Sequence, residues 1–582
     1  MFPFNRRCNA LSQVVGGTSL IFISLLLVGC SGGSNTPAPP SVAATGTSGA
    51  EASVGERLFV ETRFAQAFKV YLDSGGNVND ALPVGDPVMD LSETTGPGVG
   101  LPGPFAGLTM NCRACHLVDE HVGTPGGGMR TYADFAQRSP LPNRSDGKRT
   151  APRNSPPLVN ASLDRPGGGL FHFDGEFSTM EELTAGTFTG RNFGWLPGQK
   201  AEAIAHIARV IRGDDGSGVI AQQFDGLPYR ILFTGTNPAI PDELRLPPEF
   251  RAFVGSGSDQ EIFDAAIKVV AAYVKSLQFS QAEESGALIR SPFDVFLSRN
   301  GLPQEPNSGE TPLDYSRRLL TLVNGLTSPQ FVTSNPHRGN GLFQFHAQPF
   351  QFGAQELEGL KIFLAEPSAT PPTGPELSTG KIGNCLACHA GPNFTDFKLH
   401  NTGTTQREYD SIHGVNSFAA LTIPNLAARN GNYNGFLPAT EVHPNASERF
   451  RAIPVLADPA LTDLGVWNVF ANPDMPTPQE KIRAILCDDQ APCPLSDATL
   501  LDRAIARFKT PSLRDLSHSA PFMHNGQFEA LNDIIDFYID VSGQARAGTL
   551  RNGAVQLQGI ALTTGDVASL VAFLKSLDED YQ

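Results

Sequence analysis

The sequence predicts a mainly α-helical chain built as two related domains in tandem, rich in loops and enlarged by insertions. Three observations carry that prediction. The hexapeptides Asn-Cys-Arg-Ala-Cys-His (111–116) and Asn-Cys-Leu-Ala-Cys-His (384–389) write one Cys-x-x-Cys-His pattern twice, about half a chain apart. Each half closes on nearly the same amphipathic segment, AAYVKSL at 271–277 and VAFLKSL at 571–577. Glycine (59) and proline (46) are frequent enough in 582 residues to predict long connections and modest regular structure.

The elements follow in chain order. Residues 1–30 read as an export signal, with Arg6 and Arg7 ahead of the apolar run LIFISLLLV (20–28), which is short for a membrane span. The run ends in Leu27-Val28-Gly29-Cys30, which resembles a bacterial lipobox and implies cleavage before Cys30 and lipidation of its thiol. The expected location is the periplasm, lipid-anchored to the bacterial membrane, with the outer membrane as the expected site. Residues 31–50, rich in Ser, Gly, Pro and Ala, form a flexible tether. An N-terminal domain is expected over 51–282 and a C-terminal domain over 283–582.

Each domain opens on an amphipathic helix, GERLFVETRFA (55–65) and LEGLKIFLAEP (357–367), ahead of its Cys-x-x-Cys-His motif. Behind the motifs stand RNSPPLVNASL…FHFDGEFSTMEEL (153–183) and FKTPSLRDLSHSAPFMHNGQFEALNDI (508–534). Both place a proline-leucine segment ahead of Asp-Gly or Asn-Gly, then x-Phe, then a helix start. Stretches 69–105, 283–355 and 405–500 fall outside this repeat and read as insertions of loops and short helices.

The eight cysteines partition without remainder in an oxidising compartment. Cys8 leaves with the signal, Cys30 takes the lipid, and Cys487 and Cys493 in CDDQAPC suit a short disulfide loop. Four remain, two in each motif. A thioredoxin-like pair requires neither the histidine nor this helical context. A structural zinc site needs four ligands gathered from both motifs, with supporting residues the sequence does not offer. Covalent c-type heme uses every residue: two thiols for the vinyl groups and the adjacent histidine for iron. Cys112, Cys115 and His116 thus hold one heme c, and Cys385, Cys388 and His389 a second. A net charge of −16 argues against nucleic acid as a partner.

With these segments assembled, the chain resembles the bacterial di-heme cytochrome c peroxidase family, including its MauG-like branch, over most of 51–582. The resemblance implies two c-type cytochrome domains. The N-terminal heme is peroxidatic, with an open distal side, and the C-terminal heme has two axial ligands and relays electrons. Glu181, in FDGEFSTMEEL, takes the family's acid–base position, with Glu182 beside it. Phe171 stands where the family commonly has Gln, which makes the pocket more apolar, and His172 next to it is a candidate base. Neither Trp195 nor Trp467 falls where the family places an inter-heme Trp. Tyr538, fourteen residues after His524, takes the second heme's distal position, where peroxidases have Met and the MauG-like branch has Tyr. Met523 is the rival ligand. Backbone carbonyls of Ser519 and Pro521 match the family's calcium positions. The implied partners are hydrogen peroxide and a redox protein, either a small c-type cytochrome or a protein substrate. Two other readings stand beside this one: a dioxygen-using heme oxygenase of the same superfamily, and a non-enzymatic electron-transfer lipoprotein with both hemes closed.

Overall fold

The computed structural model describes residues 49–579, apart from 83–109, 117–137, 283–285, 337–347 and the single positions 81, 113, 114, 140, 164, 225 and 280. The export signal, the lipobox cysteine and most of the tether therefore lie outside the described residues, as does much of the 69–105 insertion. No described helix is long and apolar enough to cross a membrane.

The chain is mainly helical. In the first half the elements that matter are α1 (Ala50–Phe59), α2 (Met180–Phe188) and α3 (Asp259–Ser276); in the second, α4 (Ala354–Leu364), α5 (Leu531–Ala547) and α6 (Val567–Lys575). Their starts follow local chemistry. The Thr179 hydroxyl caps α2 by accepting from Glu182 N at 3.0 Å, while the Glu182 carboxylate accepts from Ser178 N at 2.9 Å. On α3 the cap is fully reciprocal, with the Ser258 hydroxyl accepting from Glu261 N and the Glu261 carboxylate accepting from Ser258 N. One apolar cluster spans Val54 to Val274 and a second spans Phe293 to Leu577, so each helix trio has its own core.

The duplication is visible at atomic detail. In each half the opening and closing helices cross where a glycine of the first meets the backbone of the second. A methyl group on Gly55 would overlap the Val269 carbonyl and lie 2.8 Å from Tyr273 Cβ; on Gly359 it would overlap the Ser569 carbonyl and lie 2.8 Å from Phe573 Cβ. These are the closing segments whose similarity the sequence displays. Gly359→Ala is expected to force α4 and α6 apart and to cost about 3 kcal/mol, the upper range for overpacking. Chemical denaturation measures this; a loss below about 1 kcal/mol would mean that the crossing yields freely.

The turn ahead of α2 repeats ahead of α5. Phe171 pairs with Phe177 in an isolated antiparallel bridge, and Phe522 with Phe528 in the same way. The residue after the first Phe holds a left-handed φ in both, +62° at His172 and +70° at Met523.

The only strands among the described residues are β1 (Leu399–His400) and β2 (Phe508–Lys509), paired antiparallel with Leu399 opposite Lys509. The chain leaves the second half after β1 and returns at β2. Most of what lies between packs as a third apolar cluster around Phe450, Trp467 and Leu500, joined by Leu170 of the first half. The 405–500 insertion thus has a core of its own. A Cys487–Cys493 disulfide, with Cα atoms 5.8 Å apart, closes its short loop.

Candidate functional site

Two cavities lie one beside each Cys-x-x-Cys-His motif. The first, of about 250 Å³, is lined by Cys112, Cys115 and His116; the second, of about 230 Å³, by Cys385, Cys388 and His389. None of the four thiols is in a disulfide. Burial pushes Cys115 and Cys385 up to about 12, so both are neutral thiols. Burial also lowers both histidines, His116 to about 4, against carbonyls (Pro156 for His116, Phe394 for His389) that favour the protonated ring. His389 Nδ1 lies 2.8 Å from the Phe394 carbonyl oxygen, which assigns the proton to Nδ1 and frees Nε2 as a metal donor.

Each cavity has a helix as one wall. Met180, Leu183, Thr184 and Thr187 of α2 line the first; Leu531, Ile534, Ile535 and Tyr538 of α5 line the second at the same helical spacing. Thr187 and Tyr538 each stand ten residues after the second Phe of their bridges. The first half therefore carries a short hydroxyl where the second carries a phenol. Burial pushes the Tyr538 phenol well above its ordinary value, so its ionisation calls for a cation in the cavity. Met523 lines the same cavity.

Glu181 lies off the lining face of α2. Its carboxylate accepts from Lys275 Nζ at 2.6 Å in an ion pair whose side chains are 37% and 47% exposed, and it does not line the cavity. Glu182 is committed to the cap of α2. Phe171 and His172 do line the first cavity. Trp195 and Trp467 are fully buried in the first and third clusters and line neither. The wall common to both cavities consists of Asn154 to Pro157, Phe173 and Lys509 to Ser512. Ser519 and Pro521 line the second cavity, and the Pro521 carbonyl accepts from Asn154 Nδ2 at 2.5 Å.

The donor set fits heme. Paired free thiols, a neutral histidine and an apolar wall meet in each cavity. Cations suited to a dianionic edge are also in place. Desolvation lowers Lys509, which lines both cavities, to about 8, with Arg165 adding repulsion. Desolvation lowers Arg165 to about 10, and its Nη1 has no partner. Two half-buried cations, neither in an ion pair with a carboxylate among the described residues, suit an anion placed between the cavities.

Sequence reasoning missed the insertion's contribution. Arg451 donates to Asp174 Oδ2 at 2.6 Å and to Glu176 Oε1 at 3.1 Å, beside the first cavity. Arg153 pairs with Asp174 at 2.6 Å and with Asp463 of the insertion at 2.5 Å. Arg191, which lines the cavity, and Glu448 lie close enough to Arg451 to interact with its charge.

No protein-family model matches the chain. It is 29% identical over 205 residues to the cytochrome-c peroxidase IdrP2 of Denitromonas iodatirespirans, covering 35% of this chain and 38% of that protein. It is 36% identical over 83 residues to the methylamine utilization protein MauG of Methylophilus methylotrophus, covering 14% and 22%. The shared region thus spans under two fifths of either relative. Among solved structures, a MauG-like protein associated with microbial copper homeostasis aligns over 94% of this chain and 95% of its own, at a TM-score of 0.40 and 15% identity. The diheme peroxidase BthA of Burkholderia thailandensis E264 aligns over 91% and 86%, at 0.34 and 15%. Over part of its length the chain is thus similar in sequence to cytochrome-c peroxidases and to MauG, and each of its two cavities is built on a Cys-x-x-Cys-His motif.

Proposed function

We propose that the chain is a di-heme c-type oxidoreductase that reduces hydrogen peroxide in its first cavity, with electrons passed through the second. Cys112 and Cys115 would attach the first heme and His116 would hold its iron; Cys385, Cys388 and His389 would do the same for the second, with Tyr538 as a further protein ligand. Bound heme supplies the iron and the redox electrons. The observation that carries the reading is the contrast between Thr187 and Tyr538 on equivalent helix faces. A threonine there leaves the first cavity room for a small oxidant, while a tyrosine closes the second. An electron-transfer lipoprotein with two closed sites lacks that asymmetry. The electrons come from a small c-type cytochrome or from residues of a partner protein. The mature chain is tethered through Cys30 in the periplasm. Phe171 on the first cavity's wall favours a second reading, dioxygen as the oxidant. Peroxide consumption under argon separates the two.

Thr187→Tyr tests the asymmetry directly. The wild-type ferric spectrum should show one high-spin and one low-spin heme, and the variant two low-spin hemes with peroxide turnover lost. Two low-spin hemes in the wild type would remove the reading.

A further inference from the structure

We propose that His172 is the acid–base residue of the first cavity, and that Glu176, locked by Arg451 of the insertion, is the positioning residue that orients it. The inference rests on the reading of the first cavity as the peroxide site. His172 lines that cavity; its Nδ1 lies 3.1 Å from Glu176 Oε2, and its ring stands edge-on to Phe177 at 4.9 Å. With Nδ1 committed to a carboxylate, Nε2 is the nitrogen left to exchange a proton, and the tautomer is fixed by the partner.

Glu176 is a suitable orienter because it stays ionised. Burial works to raise its carboxyl, but the Arg451 guanidinium and the hydrogen bond to His172 outweigh that and hold it well below the usual carboxylate range. Arg451 is itself fixed by a second carboxylate, Asp174, which Arg153 also grips. The His172 ring is thus the cavity end of a side-chain chain anchored in the insertion's core. A base oriented by a third group is a recurring arrangement in proton-transfer sites.

The internal duplication supplies the control. Met523 occupies the same position in the second half, with the same left-handed φ and the same flanking bridge. The turn accepts either side chain, so the fold does not require histidine. Its partner is replaced as well: Gln527 stands where the first half has Glu176. Both members of the pair are confined to the half with the open helix face.

In the step, His172 Nε2 takes the proton from one peroxide oxygen and returns it to the other. That second oxygen leaves as water when the O–O bond breaks; the first oxygen, reduced by two electrons that the redox partner supplies through the hemes, takes two protons from solvent and leaves as a second water. Binding of hydrogen cyanide to the ferric protein gives a readout separate from turnover, because the acid must surrender its proton to a base in the cavity before cyanide binds. His172→Leu, which the turn should tolerate as it does Met523, is expected to slow cyanide binding and peroxide cleavage together by roughly 10²–10⁴. Heme content and both ferric spectra should be retained. Glu176→Gln should lower kcat about tenfold, the low end for a residue that orients another, without changing KM for peroxide. Glu181→Gln should leave both rates unchanged. If His172→Leu binds cyanide at the wild-type rate while Glu181→Gln slows it, the proposal is overturned and the peroxidase reading survives. If the wild type binds no cyanide, the first site is closed and both fall.

Discussion

Arg451→Met is expected to destabilise the protein by about 3–5 kcal/mol, because it leaves buried carboxylates without their cation. The arginine side chain is 3% exposed and touches Asp174, which is fully buried, and Glu176. Arg153 remains on Asp174 but is shared with Asp463, so one guanidinium would face two carboxylates. The same groups set a dependence on acid. Burial alone would raise Asp463; Arg153 overrides it and holds the carboxyl at about 2. Asp174 and Glu176 are lowered as well, burial being outweighed by Arg153 and Arg451 for the first and by Arg451 for the second. A depressed folded value means that the contribution is complete above the ordinary carboxylate range near pH 4 and is lost as pH falls toward about 2. Denaturation at neutral pH and at about pH 3 should therefore show a steeper acid loss in the wild type than in Arg451→Met. A variant within about 1 kcal/mol of wild type at neutral pH would show that water or another cation replaces the guanidinium.

The contrast between what the sequence displays and what it hides has a physical basis. The duplication was legible because helix crossings and turns are local: AAYVKSL, VAFLKSL and the two Phe-x-x-x-Gly-x-Phe turns carry their geometry in a few adjacent residues. The place of Tyr538 on the second cavity's wall follows from an equally local count, since it lies on the helix that starts at the turn. The place of Glu181 was not legible. A family position fixes the residue's place on the helix, but the lining face of α2 is Met180, Leu183, Thr184 and Thr187, and Glu181 is rotated away from it toward Lys275. The Arg451 contact was invisible in principle, because no periodicity connects it to Glu176, 275 residues earlier. The 405–500 insertion reads as Pro-, Gly- and Asn-rich loops, yet it encloses Trp467, Phe450 and Leu500 in a core of its own. Its apolar residues are spread too thinly along the chain to show a period.

Tyr538→Met is expected to raise the potential of the second heme by a few tenths of a volt, a fraction of the ≈ 0.8 V that axial ligands span. A phenolate is an anionic oxygen donor that favours the oxidised metal, whereas a thioether is soft and neutral and favours the reduced one. The phenol lies on the cavity-lining face of α5, in a cavity shared with Cys385, Cys388 and His389, and burial holds it protonated until a metal takes the proton's place. With the methionine in place, the second site should accept an electron readily, and peroxide turnover should come to require prior reduction. Tyr538→Phe is the companion variant: it keeps the ring's packing against Phe537, 5.5 Å away, and removes only the oxygen. Its second heme should become high-spin. Redox titration and the ferric spectrum distinguish the outcomes. If both variants keep the wild-type potential and a low-spin second heme, the ligand is not Tyr538, and Met523, which lines the same cavity from the turn ahead of α5, takes its place.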